Sequence, residues 1–182
     1  MIHPDTELRF VSDDIGYGVF ATALIPRGTI VWVRDDLDRL FSRDEIEQLP
    51  PAYRAIVEKY TYVDAESTHV LCWDHAKYVN HSCQPNCQKG RDEFEVAVRD
   101  IRAGEELRSD YATLNLDQPE PFECCCGAPG CRRTIQPEDA VGLEGEWTQS
   151  FHAALKIAET VPQPLAPFFP EVSEGERRAA RT

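Results

Sequence analysis

Four stretches of this chain carry residue types and spacings that could do chemistry. In Cys124-Cys125-Cys126-Gly127-Ala128-Pro129-Gly130-Cys131-Arg132 the pattern is C-x-C-x4-C, with glycine and proline to wrap the backbone. Thiolates so spaced suit zinc, but three of them need a fourth ligand. The alternative is free thiols or a disulfide, although Cys124 and Cys126 are poorly placed to pair and a reducing compartment opposes it. Gly16-Tyr17-Gly18 could let a ligand approach the main chain, where paired glycines ordinarily only permit a tight turn. The run Lys77-Tyr78-Val79-Asn80-His81-Ser82-Cys83-Gln84-Pro85-Asn86-Cys87 offers an amide and an imidazole for recognition; its bland reading is a capped turn. Ala103-Gly104-Glu105-Glu106-Leu107-Arg108-Ser109-Asp110-Tyr111 ends on a phenol that, taken alone, reads as a packing tyrosine with a satisfied hydroxyl.

The elements that must position these residues are mostly short strands. Leu8–Val11, Gly18–Ala21 and Thr29–Val33 are strand-like, punctuated by Asp13-Asp14 and Pro26-Arg27-Gly28. Ser42-Arg43-Asp44-Glu45 is a capping box, which predicts a short helix from Arg43 to about Pro50. Pro51 suits a first helical position, and Tyr53, Ile56, Val57 and Tyr60 are spaced for one buried face. Residues 61–72 and 94–99 are strand-like again. Trp147, Phe151, Ala154, Leu155, Ala158 and Val161 predict an amphipathic helix over 145–161, followed by an extended or disordered tail over 162–182. The class is α+β, mostly β.

In this order, the glycine, Asn-His and tyrosine segments resemble the SET domain of protein lysine methyltransferases. That family shows G-x-G, then Phe/Tyr-Ile/Val-Asn-His-Ser-Cys-x-Pro-Asn, then Gly-Glu-Glu-Leu-x-x-Asp-Tyr, and the resemblance runs from residue 6 to residue 135. It implies a β-clip fold of short curved sheets with a knot-like active site, a SET domain over 6–116 and a post-SET zinc segment over 120–135. It implies S-adenosyl-L-methionine (SAM) as cofactor, with Gly16, Tyr17 and Gly18 giving backbone contacts to its methionine part. Asn80 would hold the amine, His81 would meet adenine mainly through its backbone, and Lys77 would stand near the carboxylate. Tyr78 would lie by the cofactor and channel, and Cys125 would pack toward the cofactor. Tyr111 becomes the catalytic tyrosine, its hydroxyl orienting the cofactor's methyl and the amine, with Tyr60 and Tyr62 as candidate channel walls, Tyr62 being equally readable as a sheet-packing residue. The post-SET pattern supplies the missing zinc ligand, so Cys83, Cys124, Cys126 and Cys131 form the set, and Cys72 and Cys87 are left as buried or free thiols.

Two departures qualify the match. Ser109 stands where the family carries Phe or Tyr, two residues before the catalytic tyrosine, so the number of methyl groups transferred stays open. Arg132-Arg133 replaces the family's Arg-Gly. No cysteine-rich segment precedes the domain, so no upstream zinc cluster is expected. The expected function is methyl transfer to the side-chain amine of lysine in a basic protein or peptide, such as a histone tail. The alternatives are a non-catalytic SET-fold binding or scaffold protein, and a zinc- or redox-responsive protein.

Composition sets the outer bounds. The chain has 182 residues, enough for one compact domain and a tail. Acids outnumber bases 32 to 19, for a net charge of -13. No Lys/Arg stripe exists to neutralise phosphates, so direct nucleic-acid binding is not expected. A cationic peptide would be steered in by that field. No apolar run is long enough to cross a bilayer and no signal-peptide pattern opens the chain, so an intracellular, cytoplasmic or nuclear protein is expected. Oligomeric state is not legible.

Overall fold

A computed structural model describes residues 1–64, 66–89, 94–114, 121–136 and 138–169. Strands β1 (Thr6–Ser12) and β2 (Gly16–Ala21) form an antiparallel hairpin with an irregularity between Phe10 and Ser12. Strand β3 (Ile30–Val33) is buried at every position, because both of its faces are covered. Next come β4 (Arg39–Phe41) and helix α1 (Arg43–Gln48), whose capping box forms as its sequence demands. Ser42 Oγ accepts the Glu45 N–H while Glu45 accepts the Ser42 N–H.

Helix α2 (Pro51–Tyr60) starts at its proline, but its expected buried face is only partly buried. Val57 is inside, whereas Tyr53 and Ile56 are 63% and 51% exposed. The helix lies on the surface and touches the domain along one narrow line, so apolar spacing overstated its burial.

Strands β5 (Thr61–Val63) and β6 (His69–Leu71) join β4 in a sheet ordered β4-β6-β5. After a 3₁₀ turn at His75–Tyr78 comes the two-residue β7 (Asn80–His81). Strands β8 (Cys87–Lys89) and β9 (Phe94–Ala97) pair with β3 in a sheet ordered β3-β9-β8. Strand β10 (Arg108–Ser109) then returns parallel to β7, with Arg108 opposite Asn80 and Ser109 opposite His81. The two segments far apart in sequence therefore meet side by side, as the knot-like expectation required. Helix α3 (Tyr111–Leu114) follows at once; β11 (Phe122–Glu123) and β12 (Thr134–Ile135) bracket the cysteines as a small hairpin.

Helix α4 spans Asp139–Leu155, starting earlier than the expected residue 145 and giving way to a 3₁₀ turn at Ala158–Thr160. It closes a second core, in which Phe151 stacks on Phe94 at 5.7 Å and Ala154 and Leu165 are buried with Val33 and Val96. Residues 162–169, the described part of the expected extended or disordered tail, run along the domain. Leu165 is buried, and Gln163 accepts the Ile30 N–H and donates to the Gly28 carbonyl, holding the segment on the domain. Burying Leu165 contributes about 2 kcal/mol toward this docking. Positions 115–116 at the expected domain edge and 170–182 of the expected tail lie outside the described residues. No helix among the described residues is long and apolar enough to cross a membrane.

Candidate active site and metal centre

The parallel crossing of β7 and β10 is stitched by buried side chains. Asn86 is almost wholly buried; its Oδ1 accepts the Arg108 N–H (2.8 Å) and its Nδ2 donates to the Glu106 carbonyl (2.8 Å). The Ser82 N–H donates to the Ser109 carbonyl at 2.9 Å. Asn80 donates from Nδ2 to the Tyr17 carbonyl (3.0 Å) and to Glu106 Oε1 (2.7 Å). Glu106 is in turn held by Arg108, whose Nε donates to Oε2 at 2.7 Å. Both donors of the Asn80 amide are thus spent on protein, and its carbonyl oxygen makes no hydrogen bond among the described residues.

The glycine pair has two distinct reasons for being glycine. Gly16 has φ +85°, a left-handed conformation that favours glycine. At Gly18 an added Cβ would lie 2.3 Å from Glu106 Oε1 and 3.0 Å from Asn80 Nδ2. Packing against the crossing therefore excludes a side chain there, a reason the spacing of the motif could not disclose.

Beside the crossing lies a cavity of about 330 Å³, with Tyr60, Tyr62, Tyr111, Phe122, Trp32 and Glu95 in its wall. The Tyr111 hydroxyl donates to the Val79 carbonyl at 2.8 Å, which leaves its oxygen lone pairs as acceptors. Burial, then the Glu95 and Glu106 carboxylates, push the Tyr111 phenol well above its ordinary pKa, so it stays protonated at neutral pH. Tyr62 meets Trp32 edge-on at 5.6 Å, and Tyr60 meets Tyr78 at 5.2 Å. Tyr78 also contacts the Tyr17 ring at 6.0 Å, so it joins the glycine segment to the cavity wall.

Lys77 lines the same cavity. Its ammonium donates to the carbonyls of Asp74 (2.6 Å), Trp73 (3.4 Å) and Cys72 (3.5 Å). Cys125 is exposed, while Cys72 and Cys87 are buried free thiols as expected. Glu95 was not singled out by sequence reasoning, although a charge inside the apolar run Phe94-Glu95-Val96-Ala97 was the available signal.

The cysteines converge. One ligand atom each from His81, Cys83, Cys124 and Cys126 lies within 4.8 Å of the others. The Cys83 and Cys124 sulfurs are 3.8 Å apart, close to the separation of about 3.8 Å that two thiolates take around tetrahedral zinc with bonds of about 2.3 Å. Cys131, expected as the fourth ligand, is not in this group of four; its sulfur lies 3.8 Å from the Cys124 carbonyl oxygen, at the edge of the cluster. Burial disfavours ionisation of Cys126, but hydrogen bonds from the backbone and from neighbouring thiols outweigh it and draw its pKa down to about 6. One thiolate is therefore available near neutral pH. This donor set fits zinc.

His81 is the member of this group that sequence reasoning did not place at the metal. Burial draws its pKa down to about 4, against the opposing pull of Asp110, so the ring is neutral. Its Nδ1 accepts the Tyr111 N–H at 3.2 Å, which puts the ring proton on Nε2, 3.4 Å from Cys83 Sγ. In that tautomer the Nε2–H faces the Cys83 sulfur, and a role as metal ligand would require the proton to leave that nitrogen. Arg132 docks the cysteine segment on the crossing: NH2 donates to both oxygens of buried Asp110 (2.6 and 2.8 Å), and its N–H points at Cys83 Sγ.

The SET domain family pattern matches residues 16–112. The "Histone-lysine N-methyltransferase, H3 lysine-36 specific" of Schizosaccharomyces pombe is 30% identical over 174 residues, 86% of this chain and 19% of that protein. The "Histone-lysine N-methyltransferase TRX1" of Oryza sativa subsp. japonica is 39% identical over 142 residues, 70% of this chain and 13% of that protein. Among solved structures, "crystal structure of KRYPTONITE in complex with mCHH DNA, H3(1-15) peptide and SAH" overlaps at a TM-score of 0.49 and 20% identity, over 74% of this chain and 30% of that one. The chain thus spans a fifth or less of the length of these two curated relatives. With the family pattern covering more than half of its residues and every motif of that pattern assembled at one crossing, the chain belongs to the SET domain family.

Proposed function

We propose that this chain is a SAM-dependent protein-lysine N-methyltransferase whose acceptor lies in a basic segment, such as a histone tail. The observation that carries the reading is the Tyr111 hydroxyl, pinned to the Val79 carbonyl in the wall of an aromatic cavity. SAM, when bound, supplies a methyl group made electrophilic by its sulfonium. Asn80 would take the amine of that cofactor on its open amide oxygen, and the Gly16-Tyr17-Gly18 backbone and His81 would complete the seat. A role for Lys77 at the cofactor carboxylate requires its ammonium to leave the three carbonyls it now serves. Cys125, being exposed, could pack toward the cofactor only if binding covers it.

A lysine amine has an ordinary pKa of about 10.4 and must lose its proton before it can attack carbon. Desolvation between Tyr60, Tyr62 and Phe122 and repulsion by the cofactor's sulfonium would disfavour its charged form, against the pull of Glu95 in the same wall. Tyr111 then acts by alignment, its fixed oxygen accepting from the amine and holding the lone pair on the line of attack. Cys83, Cys124, Cys126 and Cys131 would hold zinc, with His81 donating to Cys83. The metal would brace the segment that carries Phe122 into the cavity wall. The net charge of -13 would steer a basic tail toward the chain, and that substrate class fits an intracellular, chromatin-associated protein. Incubation with radiolabelled SAM and core histones tests the reading: label is expected on lysine, and bound SAM with no labelled lysine in any basic substrate would defeat it.

A further inference from the structure

The cavity wall contains a buried carboxylate that the reaction above does not use, Glu95, alongside the charged residues Glu58, Lys59, Lys77 and Lys89. Glu95 sits on β9 opposite Trp32 of β3 and opposite Lys89 of β8. Its strand neighbours Phe94, Val96 and Ala97 are all buried, and Glu95 itself is 8% exposed, in the cavity wall. Oε2 accepts a 2.8 Å hydrogen bond from Ser109 Oγ, which is fully buried behind it. Among the described residues this is the carboxylate's only hydrogen bond.

A carboxylate among aromatic rings is costly to bury without a compensating cation or donor set. Burial accordingly raises the pKa of Glu95, against the opposing pull of Ser109 and Lys89. Among the described residues, the thiols of Cys72 and Cys87 and the phenol of Tyr111 also feel its charge. All three are pushed up in pKa and stay neutral, so Lys89 is the cation among these neighbours. The Lys89 ammonium lies 3.8 Å from the centre of the Tyr62 ring. Lys59 likewise lies 5.2 Å from the centre of the Tyr60 ring, so the wall already sets lysine ammonium groups against aromatic faces beside a carboxylate, the chemistry that receives another from outside.

We propose that Glu95, oriented by Ser109, is the cation-recognition group of this cavity, a specificity-determining residue that selects an ammonium side chain over a neutral one of the same shape. This rests on the methyltransferase reading for its biological meaning, but not for its test. It also gives Ser109 a role: the hydroxyl that replaces a family aromatic ring is the donor that makes a buried carboxylate tolerable.

The test is binding, with no methyl donor present. The full chain loaded with zinc is titrated at pH 7 with n-butylammonium chloride or with n-butanol at matched ionic strength, following the Trp32 indole N–H by NMR. Wild type is expected to bind the ammonium about tenfold more tightly than the alcohol, as a charge-assisted contact allows. Glu95→Gln, nearly isosteric, should bring the two within about twofold, and Ser109→Ala, which keeps the carboxylate but loses its donor, to about threefold. A wild type without preference overturns the proposal, as does a Glu95→Gln protein that keeps it. If Glu95→Gln does not fold, wild type and Ser109→Ala decide: a preference undiminished in Ser109→Ala overturns the part given to Ser109. Failure of methyl transfer to histones would defeat the enzymatic reading and leave this result standing.

Discussion

The crossing of β7 with β10 and the cysteine segment that follows it lie against each other, yet they are built in opposite ways. The crossing is held by buried, fully engaged groups: Asn86 bonds with both ends of its amide, and Asp110 takes both oxygens to Arg132. The cysteine segment has a two-residue hairpin, half-exposed thiols and an exposed Cys125. One region carries its own internal support, and the other has ligand chemistry in place of a core. The cavity wall is anchored from the crossing side by the fold, whereas on the Phe122 side it is bound zinc that would brace it.

Stripping zinc should break this comparison most visibly. Structural zinc contributes on the order of 10 kcal/mol to small sites. A chelator, or Cys124→Ser, should therefore abolish protection of backbone amides across 121–135 while those of β7 and β10 stay protected, as hydrogen exchange would record. Cys125→Ser should leave zinc content unchanged. The His81 tautomer sharpens the point: Cys131→Ser should lose the metal and His81→Ala should keep it, both read by zinc content per chain.

The next effect belongs to the crossing. Asn86→Ala orphans the Arg108 N–H and the Glu106 carbonyl in a buried place, so denaturant unfolding should show a loss of about 3 kcal/mol. Gly18→Ala forces Glu106 and Asn80 apart and should cost about 2 kcal/mol in the same assay. The smallest effect is a gain. Arg133 has φ +71°, a conformation that strains a residue with a Cβ, so Arg133→Gly should raise stability by up to about 1 kcal/mol.

Much of this site was legible in the residues because its signals are local. The Ser42–Glu45 capping box, Pro51 at a helix start and the C-x-C-x4-C run each contain their own geometry. The meeting of β7 and β10 came from resemblance to a family, since no periodicity encodes a crossing between residues 80 and 108. Three features stayed hidden because they depend on partners distant in sequence. The reason for Gly18 lies at Glu106, the docking of residues 161–169 depends on Gly28 and Ile30, and Glu95 is notable only once its sheet register puts it beside the cavity. The α2 face erred the other way: spacing can show that residues share a face, but it cannot supply the surface that covers it.

The central claim is that Tyr111 aligns a lysine amine for methyl transfer, and single-turnover transfer from labelled SAM to a lysine-containing basic peptide tests it most directly. Tyr111→Phe removes only the bond to the Val79 carbonyl and the acceptor oxygen, so SAM affinity and stability should stay near wild type while the rate falls about a hundredfold or more. A Tyr111→Phe protein that transfers methyl groups at the wild-type rate would contradict the account.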